Sequence, residues 1–358
     1  MPAFFVENQG LSIITWPTNK HEVTDFMQNL LNQALIAKTR AAGAAEIIQP
    51  VQIGNPVFQN ELVFFIKPEL LSVEDDAKVL NSLKMIADLF STYQVQVNGL
   101  VIMPGKVLAD YQIMNRHYGF INQLSREASQ IVNDQTRQEM FQVLNIEDHG
   151  SHKILGGHEF LQTYSSDVNT LNEIWFGQGA QKLRSGFYFV AINYKGDPIL
   201  LVNGFNPSQL LHFTREDHRI ILMLVHSNTD WYDLKFNLVG DTFPARAKPD
   251  SIRGQLHAHP ELFGLDEAGI NANGVHLSAG AFESAFEVVN FFGEILSYIP
   301  RANPPLGIQR VIDSGICPDL ALSLLSNPVI GESDLFSETE NLNTDAAVEL
   351  AREKLLGS

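Results

Sequence analysis

The segment NANGVHLSAG (residues 271–280) constrains this chain more than any other feature of its sequence. His276 lies in it between an asparagine and a serine, and the following stretch, ESAFEVVNFF (283–292), has the apolar spacing of a helix. Upstream lies TFPARAKPDSIRG (242–254), which brings an arginine. Because an imidazole nitrogen can accept a group and pass it on, His276 is the first candidate for a catalytic residue.

The composition limits the classes of protein to which this chain can belong. Its 358 residues are 45% hydrophobic, which is enough for a sizeable core. A formal net charge of −17 argues against general nucleic-acid binding, which needs basic surface. The single cysteine, Cys317, excludes an intramolecular disulfide and fits a reducing compartment. The chain begins without a secretory signal, and its longest apolar run (220–225) is too short for a membrane span, so we expect a soluble cytoplasmic protein without membrane contacts.

Apolar runs and helical periodicity alternate along the chain. The strand candidates are 61–67, 95–103, 187–194, 198–205 and 219–226, and the helix candidates are 22–36, 77–92, 109–118 and 283–292. This order is typical of split βαβ units. It predicts an α+β fold with a ferredoxin-like four-stranded antiparallel sheet, helices on its face, and extra N-terminal, inserted and C-terminal segments.

Several segments together match the pattern of one enzyme family. VGDTFPARAKPDSIRG (239–254) aligns without a gap with L-G-x-T-N-P-A-x-x-x-P-G-T-I-R-G, and N-x-x-H and a helix with a glutamate follow it. ELVFFIKPEL (61–70) is similar to a strand that ends I-K-P-D-G, and RHY (116–118) contains the dipeptide H-Y. IWFGQGAQKLRSG (174–186) has the spacing of P-F-F-x-x-L-V-x-Y-M-x-S-G. With these motifs the chain resembles the nucleoside diphosphate kinases.

The resemblance implies a role for each matching residue. His276 would carry the phosphoryl group, Glu287 would orient its ring, and Ser278 would be its neighbour. The nucleotide-binding residues would be Lys67, Tyr118, Trp175, Thr242, Arg253 and Asn273. Mg²⁺ would accompany the nucleotide, with no metal ligand among the protein side chains. The substrates would be nucleoside tri- and diphosphates, and family members form homo-oligomers through the loop that here contains Pro244.

The chemistry of phosphoryl transfer fits this set of residues. A nucleoside triphosphate carries several negative charges, so Lys67 and Arg253 would donate charge-assisted hydrogen bonds to its oxygens. Transfer depends mainly on positioning and on charge stabilisation. Trp175 would stack on any base, because every base has a π-face.

The same pattern predicts the organisation of the chain. Residues 1–58 would form an N-terminal arm with an amphipathic helix, and residues 59–292 a kinase-like core. Insertions near 121–173 and 197–232 would interrupt that core. Residues 293–358 would be a C-terminal extension, with the polar stretch 331–344 as a mobile linker.

Two alternatives remain open from the sequence. Phe236, Leu277 and Asp250 stand where the family pattern has Arg, Gly and Gly, which favours a nucleotide-binding or protein-interaction module that has lost turnover. A metal hydrolase is the other alternative, although the chain has neither H-E-x-x-H nor paired cysteines. The residues considered for it are Asp148, His149, His152, His158, His257 and His259.

Overall fold

A computed structural model describes residues 43–147, 150–184, 186–269, 272–330 and 333–356. The predicted helix at 22–36 and the metal-ligand candidates Asp148 and His149 lie outside these ranges. No helix within them is long and apolar enough to cross a membrane.

The described ranges contain both strands and helices. The strands are β1 Glu46–Gln49, β2 Asn60–Ile66, β3 Gln96–Pro104, β4 Lys153–Gly156, β5 Gln181–Arg184, β6 Phe187–Tyr194, β7 Asp197–Val202, β8 Arg219–Ser227 and β9 Val275–Leu277. The α-helices are α1 Pro68–Leu71, α2 Asp76–Thr92, α3 Gly105–Asp110, α4 Ile113–His117, α5 Gly119–Ile131, α6 Asp134–Leu144, α7 Gly157–Tyr164, α8 Val168–Phe176, α9 Asn206–Thr214, α10 Trp231–Asp233, α11 Ile252–Ala258, α12 Ala281–Leu296, α13 Leu306–Asp313, α14 Pro318–Ser323, α15 Leu335–Glu338 and α16 Thr344–Leu356. A π-helical turn occupies Leu234–Val239, and 3₁₀ turns occupy Pro244–Arg246, Pro260–Phe263 and Leu324–Ser326.

Most predicted elements are confirmed within one or two residues. The strand predicted at 61–67 is β2, and the helix predicted at 77–92 is α2, which Asp75 caps by accepting from the backbone N–H of Ala77. The helix predicted at 109–118 is instead two short helices, α3 and α4. The helix predicted at 283–292 is α12, which begins two residues earlier and ends four residues later.

The main sheet has five strands in the order β1-β3-β8-β2-β9, and every neighbouring pair is antiparallel. Alternate residues of β2 face opposite sides of this sheet. Phe64 packs in the hydrophobic cluster that includes α2 and α11, whereas Phe65 packs in the cluster that includes α3, α4 and α12. Burial on both faces explains why β2 reads as a continuous apolar run.

A second sheet has the order β4-β7-β6-β5, with β4 and β7 parallel and the other pairs antiparallel. The predicted hairpin of 187–194 and 198–205 is confirmed as β6 and β7, but it lies in this second sheet. The predicted ferredoxin-like four-stranded arrangement is therefore not confirmed, and residues 187–194 are not part of the main sheet. The described molecule is an α+β protein with one antiparallel sheet and one mixed sheet.

The strand β8 connects two other strands of the main sheet. Residues 219–226 fell within the predicted expansion near 197–232, yet β8 pairs with both β3 and β2 at the centre of the main sheet. Residues 219–227 therefore form a strand of the main sheet.

The described part of the predicted linker 331–344 is folded. It contains α15, the side chains of Leu335 and Thr339 are fully buried, and the backbone N–H of Thr344 donates to the Oδ1 atom of Asn60. Residues 333–344 therefore belong to the packed structure rather than to a mobile linker.

Candidate functional site

His276 lies in β9, the strand that follows β2 at one edge of the main sheet. Its Cα pairs with that of Phe65, and the two rings stack with centroids 4.5 Å apart at 15°. The imidazole is 18% exposed, so it lies at the surface of the α12 side of the sheet. Stacking on Phe65 and pairing with β2 fix the direction in which the ring points.

A buried carboxylate from α12 holds the imidazole of His276. The Oε1 atom of Glu287 is 2.7 Å from the Nε2 atom of His276, and the carboxylate is fully buried. The hydroxyl of Ser278 donates to the other oxygen of Glu287 at 2.5 Å. The backbone N–H of Val63 in turn donates to the Oγ atom of Ser278 at 2.9 Å. Sheet, loop and helix are therefore tied together at this carboxylate, and His276, Ser278 and Glu287 come together as the sequence predicts.

His117 is a second imidazole at the same carboxylate, a contact that was not predicted from the sequence. Its Nδ1 atom is 3.3 Å from the Oε1 atom of Glu287, and its ring packs edge-on to that of His276 at 4.8 Å. The amide of Asn290 joins α4 to α12, because it accepts from the Nε atom of Arg116 and donates to the carbonyl of Ile113. The dipeptide H-Y at residues 117–118 was the local signal for this residue.

Burial sets the protonation of this cluster. It lowers the pKa of His117 to about 3, and together with the charges of Lys67 and Arg253 it lowers that of His276 well below the ordinary value. Burial also raises the pKa of Glu287. A neutral His276 carries its proton on Nε2, and this N–H donates a hydrogen bond to Glu287. Among the described residues, none hydrogen-bonds the Nδ1 atom of His276, so that nitrogen keeps a free lone pair.

Lys67 follows β2 directly and reaches towards the loop before β9. Its ammonium donates to the Oδ1 atom of Asn273 at 2.6 Å, and the amide of Asn273 donates to the carbonyl of Thr242 at 3.3 Å. Burial, with the charge of Arg253, lowers the pKa of Lys67 to about 8, although Glu69 opposes the shift. Hydrogen bonds therefore link three of the predicted nucleotide-binding residues, Lys67, Asn273 and Thr242.

Arg253, on α11, is held by two backbone carbonyls. Its terminal nitrogens donate to the carbonyls of Gly240 and Val275, each at 2.9 Å. Its Nε atom is buried and has no hydrogen-bond partner among the described residues. Burial lowers the pKa of the guanidinium to about 10. Since Val275 precedes His276, Arg253 brings a second cation beside the imidazole.

Tyr118 and Glu69 lie close to the residues described above. Burial and the charges of Glu69 and Glu287 raise the pKa of the Tyr118 hydroxyl. Glu69 accepts from the backbone N–H of Gly274 at 2.9 Å and contacts the Nε2 atom of His212 at 2.8 Å. Burial alone would raise the pKa of Glu69, but the hydrogen bond with His212 and the charge of Lys67 hold it below its usual value. Sequence spacing alone gave no signal for the contact between Glu69 and His212.

The structure does not bring Trp175 to this site. Trp175 is 4% exposed and packs in the hydrophobic cluster of the second sheet, with Phe205 at 5.7 Å between ring centroids. Its ring lies so close to Gly204 that a Cβ atom there would approach it to 2.6 Å. The prediction that Trp175 stacks on a base is wrong, because its ring fills a protein core.

The three departures from the family pattern have distinct surroundings. Leu277 pairs with Phe64 and packs against the opposite face of the sheet from His276, so it does not crowd the imidazole. Phe236 packs on the exposed Tyr232 at 4.6 Å between ring centroids. Asp250 is exposed, and its backbone carbonyl accepts from Gln255.

One group of side chains in the described ranges has the geometry to hold a metal ion. His117, His276 and Glu287 place their ligand atoms within 4.8 Å of one another. Two imidazoles and a carboxylate suit a transition metal, whereas Mg²⁺ prefers oxygen ligands. The histidines considered for a hydrolase do not assemble such a group in the described part of the chain. His158 contacts Ser125, and His152 packs on Phe141.

Comparisons with known proteins place few limits on the chain. No family model and no curated protein matches the sequence. A solved structure of an NDP kinase from Pyrobaculum aerophilum is similar over 65% of this chain and 95% of that chain, with a TM-score of 0.32 and 15% identity. Similarity at this level does not establish a shared fold.

Proposed function

We propose that this chain is a phosphotransferase of the nucleoside diphosphate kinase type, with His276 as the nucleophile. The observation that carries the proposal is the state of His276, whose Nε2 atom is held by Glu287 while its Nδ1 atom has no partner among the described residues. Lys67 and Arg253 beside it supply positive charge for phosphate oxygens. The antiparallel order β3-β8-β2-β9 is compatible with a ferredoxin-like core, to which β1 adds a fifth strand.

The proposed reaction has two balanced steps. The Nδ1 atom of His276 attacks the γ-phosphorus of a nucleoside triphosphate, the bond from that phosphorus to the bridging oxygen breaks, and the nucleoside diphosphate leaves. The terminal oxygen of a second diphosphate then attacks the phosphohistidine and restores the neutral ring. Glu287 stabilises the positive charge that the ring carries in between.

Mg²⁺ enters this proposal with the nucleotide, where it neutralises phosphate charge. Of the remaining residues in the predicted set, Asn273 and Thr242 would contact the ribose and the phosphates, and Tyr118 would close the site. We also propose a homo-oligomer, with contacts through the loop of Pro244.

The test is transfer of a labelled phosphoryl group. Full-length protein incubated with Mg²⁺ and [γ-³²P]ATP should acquire an acid-labile label, and addition of GDP should move that label to GTP. The variant His276→Asn should take up none, whereas His257→Ala, which changes an exposed histidine on α11, should behave as wild type. Label that survives in His276→Asn would contradict the proposal.

Two other results would favour different functions. Nucleotide binding without label would indicate the binding module without turnover, which the phenylalanine at position 236, where the family pattern has an arginine, favours. Stoichiometric zinc in purified protein, without label, would indicate a metal centre at His117, His276 and Glu287.

A further inference from the structure

An ion pair joins the π-helical turn before Gly240 to residues 333–356, which we call the C-terminal segment. The ammonium of Lys235 contacts the carboxylate of Glu340, and the two side chains are 20% and 48% exposed. Neither residue of the pair hydrogen-bonds with Glu287 in the described part of the chain.

Glu340 is fixed beside the loop that follows His276. Its backbone forms an antiparallel bridge with Gly280, and the next residue, Asn341, donates from its backbone N–H to the carbonyl of Ala279. A side chain at residue 280 would bring its Cβ atom to 2.9 Å from the carbonyl oxygen of Thr339. The C-terminal segment thus lies directly against the turn between β9 and α12.

The π-helical turn Leu234–Val239 carries Lys235, whose side chain contacts Glu340. The backbone N–H of Gly240 bonds to the carbonyl of Lys235, five residues back, so the turn contains one residue more than an α-helical turn. Lys235 consequently occupies the position that an α-helical turn ending at Gly240 would give to Phe236. The indole N–H of Trp231, at the start of this segment, donates to the carbonyl of Ser278 and anchors the segment on the loop.

Lys235 is the third cation around the imidazole. Its charge lowers the pKa of His276, after burial and the charges of Lys67 and Arg253. Its surroundings differ from theirs, however. Lys67 and Arg253 donate to neutral oxygens of Asn273, Gly240 and Val275, whereas Lys235 faces a carboxylate.

We propose that Lys235 is a phosphate-binding residue of this site and that Glu340 competes with the bound polyphosphate for it. The proposal rests on the proposed function, because it takes the site around His276 to receive a polyphosphate. A phosphate oxygen and the Glu340 carboxylate are both anionic acceptors, so they exclude each other on one ammonium. The C-terminal segment therefore lowers the affinity of the site for polyphosphates.

The pair is built for exchange rather than for stability. Partly exposed ion pairs contribute little free energy, so a ligand can displace Glu340 at small cost. The charges of this pair also act on Glu283. Burial and the charge of Glu287 raise the pKa of Glu283, and Glu340 raises it further, whereas Lys235 lowers it. Glu340 thus affects polyphosphate binding only through its ion pair with Lys235.

A double-mutant cycle in the full-length protein tests the proposal. The dissociation constant of ATP with Mg²⁺ is measured by calorimetry for wild type, Glu340→Gln, Lys235→Gln and the double variant. Glu340→Gln should tighten binding by about two- to fivefold, which corresponds to the loss of one partly exposed ion pair. Lys235→Gln should weaken binding, and Glu340→Gln should change nothing in that background.

Glu338→Gln is the matched control, because it removes one negative charge from α15 without touching Lys235. Equal affinities for Glu340→Gln and Glu338→Gln would overturn the proposal, as would an effect of Glu340→Gln that persists without Lys235. The comparison of these two variants suffices if Lys235→Gln fails to fold. Labelling of His276 in wild type with no effect of Glu340→Gln would remove this inference and leave the proposed function. Absence of any ATP binding would remove both.

Discussion

At the scale of single residues, Glu287 determines what His276 can do. One oxygen of Glu287 contacts the Nε2 atom of His276 and the other accepts from Ser278, so the carboxylate has a fixed orientation. Neutral His276 therefore keeps its lone pair on Nδ1. Nearby His117 is also neutral, because burial lowers its pKa to about 3. The nitrogen that we propose as the nucleophile thus depends on an acceptor that is fully buried.

Protonation of Glu287 should switch off the nucleophile. Burial raises the pKa of Glu287, so the carboxylate becomes protonated as the pH falls through that raised value and then no longer accepts from His276. We expect the rate of phosphorylation by ATP to fall as the solution is acidified below neutrality. Glu287→Gln should lower this rate by about 10²-fold and remove the acid limb, since misplacement of a reacting group costs about that much.

Rapid-quench measurement of phosphoenzyme formation between pH 5 and 8 checks this expectation. Glu294→Gln, an exposed change on the same helix α12, is the control and should keep the wild-type profile. A Glu287→Gln variant with the wild-type rate and profile would show that the carboxylate does not orient the ring.

Lys67 should contribute strongly to nucleotide affinity. Its partly buried ammonium donates to Asn273, and a phosphate oxygen would form a charge-assisted hydrogen bond with it. We expect Lys67→Gln to weaken binding of ATP by about 10- to 100-fold, the worth of one such bond. Calorimetry gives this constant. Lys153→Gln, which removes an exposed lysine of β4, should have no effect, and equal constants for the two variants would refute the assignment.

Local spacing explains which site residues the sequence could predict. His276, Ser278 and Glu287 lie on one strand, its loop and the next helix, so their separation along the chain fixes their separation in space. His117 is different, because it meets Glu287 only through the packing of α4 on α12 that Asn290 mediates. No periodicity in the sequence carries that contact.

At the scale of elements, the sequence did not predict that residues 187–194 belong to a second sheet. Residues 187–194 and 219–227 are both apolar strands, and the local pattern cannot tell which of them pairs with β2. The long-range pairing selects β8, which aligns with β2 over its whole length. Element type was therefore predictable, whereas sheet membership was not.

Trp175 provides a test of this division between the two sheets. Because its indole fills the core between α8 and the second sheet, Trp175→Ala should lower the free energy of unfolding by about 3–5 kcal/mol. The affinity for ATP should stay unchanged at temperatures where the variant is folded. Urea unfolding and calorimetry measure the two quantities. If Trp175→Ala stayed stable but bound ATP more weakly, the indole would have to contact the nucleotide.

At the scale of the whole molecule, the C-terminal segment closes the fold around the start of β2. The fully buried Asn60 donates to Thr229 and Asn343 and accepts from the backbone N–H of Thr344. Three distant parts of the chain therefore meet at one side chain. This explains why the polar stretch before α16 is folded, although its composition indicated a linker.

Asn60→Ala should consequently destabilise the whole molecule. The change leaves several buried polar groups without partners, each at a cost of about 1–3 kcal/mol, so we expect the free energy of unfolding to fall by at least about 2 kcal/mol. Chemical denaturation followed by circular dichroism measures it. Asn169→Ala, an exposed change on α8, should alter stability little. Equal stabilities would mean that the junction is not what holds the C-terminal segment.

The most direct test of the account is the position of the phosphoryl group on the protein. Full-length protein should be phosphorylated with ATP and Mg²⁺ and then studied at alkaline pH by ³¹P NMR and by mass spectrometry of its peptides. We predict a single phosphohistidine, at His276 and on Nδ1, because Glu287 holds Nε2. A phosphate on Nε2, a phosphate on another residue, or no phosphoenzyme at all would contradict the account.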